Sequence, residues 1–266
     1  MARPFRAVEP GARVTLLPLF IAYALILTGA LALAGHRSSA PPPAAPPPAA
    51  ARGAPPARVL IVGATGGTGR LLVAQALERG CAVTALVRDP SRLPIHHPRL
   101  TVVKGNVLDA ASVQAAMRGQ DAVLSALGHR RYLYPTRILS DGTRNILRAM
   151  ETHGVRRFVC ETSLGIGDSA GRLGLPFTLF VIPAVLPFYF RDKARQERII
   201  AASAVEWVIV RPGVLTNGAR RGQRRHGLRV GGFILPVRIA RADVAEFMLD
   251  QLTSDTYLRA APGVCW

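Results

Sequence analysis

A doubly wound α/β fold, with a parallel sheet covered by helices on both faces, is predicted by three features of this chain. A glycine-rich loop, residues 63–69, stands directly between a β-branched apolar run and an amphipathic segment. Short apolar runs then alternate with helical patterns to about residue 252. The first of these runs, residues 59–62, is apolar throughout, as a strand buried on both faces must be.

The elements follow in order. Val59, Leu60, Ile61 and Val62 make the first strand. Residues 70–79 read as a helix with Leu71, Leu72, Ala74, Ala76 and Leu77 apolar, and Gly80 closes it. Residues 82–87 are the second strand, completing a β–loop–α–β unit. Residues 100–104 are the third strand, and 105–107 the loop after it. Asp109 caps a helix over 110–118. Strand four is 122–125, followed by a turn over 125–128 and a helix over 135–153. Strands five and six are 157–161 and 206–211, and a final helix over 241–252 has Asp243 near its start. Such alternation argues for a parallel sheet.

The loop carries the first functional signal. Gly63 permits the tight turn out of the strand, Gly66 and Gly67 leave room for a diphosphate, and Gly69 lets the helix pack closely. Main-chain amides at the helix start then face the diphosphate charge. Thr65 and Thr68 offer hydroxyl donors to the same group. A glycine loop set between a buried strand and a helix marks a dinucleotide site. Cofactor choice is read at the end of strand two, where an acid would select NAD. Arg88 stands there with Arg92 four residues on, which suits the 2′-phosphate of NADP; Asp89 between them keeps NAD as the minority reading. Asn106 and Val107 are expected at the adenine, and Ser125, Ala126 and Leu127 beneath the cofactor.

Composition narrows the alternatives. The formal net charge is +18, but Lys104 and Lys193 are the only lysines, and arginine is spread over the whole chain. The densest cluster, residues 220–229, has no interleaved aromatics, so nucleic acid is not the expected partner. Cys81, Cys160 and Cys265 are far apart with no C-x-x-C spacing. No metal site is expected, and the thiols read as buried and inert in a reducing compartment.

Three regions are expected: a hydrophobic segment over 1–40, a Pro/Ala-rich linker over 41–56, and the nucleotide-binding domain with a small C-terminal substrate region over 57–266. Residues 14–34 are uncharged and mostly apolar, long enough as a helix to cross a hydrocarbon core of about 30 Å. A membrane anchor, a cleaved secretory signal and an arginine-rich organelle leader all fit this run. The anchor reading predicts membrane association through 14–34 with the soluble domain on the cytoplasmic side. Arg3, Arg6 and Arg13 ahead of the run argue for the opposite topology, and Arg37, Arg52 and Arg58 after it blunt that argument. The proline-rich stretch is a semi-rigid spacer reaching up to about 50 Å.

Taken in order, Gly63-Ala-Thr-Gly-Gly-Thr-Gly69, Leu86-Val-Arg-Asp89, Gly105-Asn-Val-Leu-Asp109, Asp121-Ala-Val-Leu-Ser125 and Val210-Arg-Pro-Gly213 resemble the atypical short-chain dehydrogenase/reductases. The NmrA-like NAD(P)-binding proteins and the biliverdin/flavin reductases are the similar groups. The resemblance covers about residues 58–252. It implies a Rossmann-type domain with NADP(H) across the strand ends. Two positions depart from the flavin-reductase pattern: Asn106 stands for an aspartate, and Gly213 for a histidine near the substrate.

In conventional members of that family a Ser, a Tyr and a Lys serve hydride transfer. Here Ser163 follows strand five, and Tyr189 and Lys193 have the Y-x-x-x-K spacing that puts both on one helix face. The competing readings are a turn residue for Ser163, a packing aromatic for Tyr189, and a surface ion pair with Glu197 for Lys193. His129 and His153 read as structural. Residues 171–190 are apolar with three prolines, and fit a substrate lid, a pocket wall or a membrane contact. The function expected is an NADP-dependent oxidoreductase acting on a small carbonyl, quinone or flavin-like acceptor; a non-catalytic NAD(P)-sensing or assembly protein is the alternative.

Overall fold

β1 (Arg58–Val62) is buried from its second residue onward, and it divides its side chains between two cores. Val59 and Ile61 enter one, Leu60 and Val62 the other, the alternation of a strand covered on both sides. The structure, a computed structural model, describes residues 56–266 together with 18, 20–23 and 25.

From β1 the sheet grows first to one side and then, after a single switch, to the other. Its strands are β2 (Ala82–Val87), β3 (Leu100–Lys104), β4 (Ala122–Ser125), β5 (Arg157–Glu161) and β6 (Glu206–Pro212). Short additions follow: β7 (Val214–Thr216), β8 (Arg225–Gly227), β9 (Arg238–Ala240) and β10 (Gly263–Cys265). The main sheet runs β3-β2-β1-β4-β5-β6-β10-β8, parallel except for the β10–β8 pair, and β7 and β9 form a separate parallel pair. The order reverses between β1 and β4. A crevice therefore opens at the carboxyl ends of those two strands, where ligands of such sheets bind.

One face is covered by α1 (Gly67–Glu78) and α5 (Arg241–Asp250), whose Leu72, Val73, Val244, Phe247 and Met248 fill the first core. The other is covered by α2 (Ala110–Met117), α3 (Ile138–His153) and α4 (Pro187–Ala201), through Val113, Met117, Ile146, Met150 and Ile200. A third, smaller cluster of Leu164, Ile166, Leu173, Ile182 and Phe190 sits past the end of β5. It includes part of a π-helix over Phe177–Val185 that contains Pro183. This segment lies within the apolar stretch 171–190.

Strands two to five occupy the expected residues. Asp109 caps α2, accepting from the amides of Ala111 and Ser112. Two helix starts differ. α1 begins at Gly67 rather than 70, because the Gly66 carbonyl already accepts from Arg70 N at 3.0 Å. α3 begins at Ile138 rather than 135. Its start is fixed from outside by Asp192 of α4, which accepts from Leu139 N at 2.9 Å, Ser140 N at 3.3 Å and Ser140 Oγ at 2.5 Å.

The arginine cluster of 220–229 is largely tied down. Arg220 pairs with Glu246, Arg224 with Glu246 and Asp250, and Arg225 donates to the Trp266 carbonyl. Asp243, fully buried, accepts from the amides of Arg221 and Gly222 and from Trp266 Nε1. The three cysteines are free and buried.

The expected transmembrane helix, and with it the membrane association and the placement of the domain at a membrane's cytoplasmic side, is overturned. Among the described residues no helix is long and apolar enough to cross a membrane. Most of 14–34, and the linker 41–56 apart from Pro56, lie outside the described residues. The apolar stretch 171–190 supplies no span either. Its π-helix is nine residues long, against about 20 needed for a crossing.

Replacing Asp192 with alanine strands the amides of Leu139 and Ser140 in the interior. Asp192→Ala is expected to lower the unfolding free energy by about 2–4 kcal/mol. A fall in the urea midpoint at unchanged slope is the measurement that checks it.

Candidate functional site

The glycine loop leaves β1 through Gly63, whose φ of +85° only glycine adopts readily. A Cβ there would lie 2.5 Å from the Ala126 carbonyl oxygen, and one on Gly69 would collide with the carbonyl oxygen of Gly63. Gly66 N donates back to Gly63 O at 2.9 Å. α1 then starts with no side-chain cap and no acid in its first turn. Gly66 and Gly67 are exposed, so the first amides of α1 face an open surface suited to an anion.

Of the two loop threonines, Thr65 is half-buried and Thr68 points away from the open surface. The Thr68 hydroxyl donates to Glu161 Oε1 at 3.0 Å. Sequence reasoning passed over Glu161, which looks like the last residue of a buried strand. Burial pushes its carboxyl up, and Lys193, the Thr68 hydroxyl and Arg241 pull it back. Its signal was available: a charged residue closing an otherwise apolar strand.

Arg88 lies exposed at the end of β2. With Lys104, Gly105 and Asn106 it lines an open groove of about 460 Å³. Lys104 was not among the expected site residues, although it is one of two lysines and stands at the end of β3. Arg92 is exposed in the short turn Pro90–Arg92, and its carbonyl accepts from Arg70 Nη2 at 3.0 Å. Asp89 is engaged locally through one carboxylate oxygen. Its carboxylate accepts from Ser91 N and from Ser91 Oγ at 2.7 Å. That hydroxyl holds the carboxyl below its usual range against partial desolvation, with the Ser91 amide, Arg92 and Lys104 assisting. Asp89 therefore caps the turn through Oδ1.

The adenine-side expectations divide. The Asn106 side-chain oxygen accepts from Leu108 N at 3.1 Å, closing its own loop. Val107 is buried against Gly142, and its carbonyl accepts from Asn145 Nδ2. Ser125 is fully buried at the end of β4. Ala126 extends the β1 pairing through Val62 O and abuts Gly63, and Leu127 is half-buried beside Gly142.

Tyr189 and Lys193 come together on α4. Lys193 is buried; its Nζ donates to the Thr162 carbonyl at 3.1 Å and lies 5.2 Å from the Tyr189 ring centre. Burial disfavours its charge, but Tyr189, Glu161, Cys160 and Glu197 outweigh that and raise its pKa. It is no surface partner of Glu197, which instead pairs with Arg211 at 2.7 Å and accepts from the Thr162 hydroxyl at 2.6 Å. The Tyr189 hydroxyl reaches the turn after β4, 3.5 Å from where a Gly128 Cβ would stand. Its ring meets His129 and Tyr132 edge-on, with centres 4.9 and 5.6 Å away. Burial lowers the His129 pKa; Asp192 opposes this, and Lys193 and Arg131 reinforce it. Ser163 is half-buried next to Thr162, and its Oγ donates to Leu164 O at 2.9 Å.

Comparison with known proteins follows this geometry. The family model described as NAD(P)H-binding matches residues 63–255. A chloroplastic protein of Arabidopsis thaliana is 33% identical over 174 residues, 62% of this chain and 61% of that protein. A 3-diazoavenalumate denitrifying reductase of a Streptomyces species is 31% identical over 216 residues, 72% of this chain and 67% of the reductase. The chain spans 61%, 32% and 48% of the first curated relatives it matches. Among solved structures, an anaerobillin reductase from Escherichia coli O157:H7 aligns with a TM-score of 0.65 at 24% identity, covering 78% of this chain and 96% of that one. A short-chain dehydrogenase/reductase from Veillonella parvula, solved with NADP, aligns with a TM-score of 0.68 at 18% identity, covering 79% and 95%. Those two structures share the fold.

Glu161 gives the site a pH signature. Its folded pKa is raised, so the stability tied to its protonated form is full below the ordinary glutamate range and is lost as pH rises through the raised value. Glu161→Gln removes that component. Urea unfolding of both proteins over a pH series is expected to show the wild type losing stability relative to the variant as pH rises from the ordinary glutamate range, then a constant difference.

Proposed function

The chain belongs to the NAD(P)H-binding family, and from that premise we propose an NADP-dependent oxidoreductase that reduces a small carbonyl, quinone or flavin-like acceptor. The observation that carries the reading is the buried Lys193 ammonium set against Tyr189, next to Ser163 and beside the turn after β4. Lys193 is buried with its Nζ on the Thr162 carbonyl, and Tyr189 leads the groups that sustain its charge there. Its placement sets a positive charge beside the phenol that would give the proton.

The residues present fit the dinucleotide. The uncapped amides of α1 suit the diphosphate, with Gly66 leaving it room. Arg88 and Lys104 at the groove, with Arg92 nearby, suit a 2′-phosphate. When bound, the cofactor supplies the hydride. Domain residues 57–266 do the rest. The Tyr189 hydroxyl donates a proton to the acceptor oxygen. Lys193 favours the phenolate left behind through its charge, and is held in place by Thr162 O. Ser163 Oγ, turning from Leu164 O, gives a second hydrogen bond to the same oxygen. The π-helix and the cluster of Ile182, Leu173 and Phe190 offer an apolar wall that keeps water from the reacting atoms.

NADPH oxidation against a panel of carbonyl, quinone and flavin acceptors tests this. Tyr189→Phe is expected to cut kcat by about 10²–10⁴-fold with NADPH affinity unchanged. Turnover at the wild-type rate in that variant defeats the assignment of the acid, and binding without turnover in the wild type defeats the enzymatic reading.

Cofactor selection has a separate test. Arg88→Ala and Lys104→Ala are each expected to weaken NADPH by about tenfold and leave NADH nearly unaffected. Dissociation constants for the two nucleotides, measured side by side, check this.

A further inference from the structure

One side chain from near the end of the chain lies across the glycine loop. Arg241, the first residue of α5, is half-buried. A Cβ on Gly67 would stand 2.7 Å from its Cδ and Nε and 3.6 Å from its Cζ. The guanidinium thus rests on the first residue of α1, at the helix end where main-chain amides point outward. Asn217 steadies it from the far side, its Oδ1 accepting from Nη1 at 2.5 Å. Glu161 lies within Coulombic reach on the buried side.

We propose that Arg241 is a diphosphate-binding residue that closes over the phosphates against the start of α1. This rests on the dinucleotide reading of the loop. The electrostatics run as follows. A helix start carries roughly half a positive charge, and the first turn of α1 holds no acid to offset it. A guanidinium laid on the same spot adds a full positive charge. Two like charges so placed are favourable when a strong anion shares them. Glu161 offsets part of this from below, but its carboxylate already accepts from Thr68 and faces Lys193 as well. A Cβ on Gly66 would meet only the carbonyl oxygens of Gly63 and Ala126 within 4 Å, so no carboxylate crowds that position.

Geometry adds to this. Asn217 takes one Nη1 hydrogen, and the remaining N–H groups of the planar fork are suited to two phosphate oxygens. Gly67 then serves two ends at once. Its lack of a side chain lets phosphate approach the amides and lets Arg241 lie against the backbone. No spacing rule links residues 67 and 241. The contact exists because α1 and α5 pack side by side on one face of the sheet.

The test uses the full-length chain and two ligands. NADPH carries both a diphosphate and a 2′-phosphate, and adenosine 2′-monophosphate carries only the latter. Arg241→Gln is expected to weaken NADPH about 10- to 100-fold and to leave adenosine 2′-monophosphate within about twofold of wild type. Arg88→Ala, in contrast, weakens both. Arg241→Met serves the same comparison if the glutamine variant does not fold. Wild-type affinity for NADPH in either variant overturns the proposal, as does an equal loss for both ligands, which marks a structural strut. Failure of the wild type to bind either ligand refutes the dinucleotide reading itself, and this inference with it.

Discussion

A contact that involves no side chains sets the geometry of the ligand end of this molecule. The backbone of Gly69 passes so near the Gly63 carbonyl that any Cβ would collide with it, and Gly63 in turn abuts the Ala126 carbonyl. Three segments meet there: the exit of β1, the first turn of α1, and the turn after β4. Their closeness lets α1 sit low on the sheet with its amino end at the point where strand order reverses. The crevice, the groove beside Arg88 and the position of Arg241 all follow from that approach. A side chain at either glycine would lift α1 and separate the parts.

The second organising feature is how the interior handles charge around Thr162. Its carbonyl accepts from Lys193 and its hydroxyl donates to Glu197, which holds Arg211; Arg211 also reaches Asp168 at 2.5 Å. One residue past the end of β5 therefore ties α4 to β6 and to the loop after β5. Burial works against the charge of Arg211, and the two carboxylates more than restore it. Such pairs add little net stability over apolar packing, but breaking one partner leaves a buried charge exposed to nothing. The effect here is positional. Lys193 cannot move without disturbing the same threonine that anchors the Glu197–Arg211 pair.

Much of this was legible in the sequence because it is local. A four-residue apolar run followed at once by G-A-T-G-G-T-G can be read without tertiary knowledge. So can strands two to five, since each is bounded by turn residues, although β3 at the edge of the sheet is not buried. Tyr189 and Lys193 were legible because one helical turn separates them. The rest depends on distant partners, on the closing of individual loops, or on elements too short to show a pattern. The start of α3 is set by Asp192, fifty-odd residues on. Thr68 looked like a phosphate ligand because nothing local reveals Glu161 behind it, and Asn106 looked free because its bond to Leu108 N is a matter of loop closure. Strands of three residues, such as β7 to β10, carry too few side chains to show a period. The membrane helix was inferred from hydropathy alone, which measures the apolar character of a run and says nothing about how that run is folded.

The bare start of α1 has a thermodynamic corollary. Most helices finish their first turn with a serine, threonine, asparagine or aspartate from the same chain; this one has Gly66, which supplies no acceptor. The missing acceptor is left to whatever anion docks, so that molecule becomes the last component of the folded state. By mass action, each tenfold rise in its free concentration above the dissociation constant adds about 1.4 kcal/mol to the unfolding free energy. Resistance to proteolysis and to heat then scales with nucleotide supply, and the lifetime of the polypeptide becomes a readout of the pool it draws on.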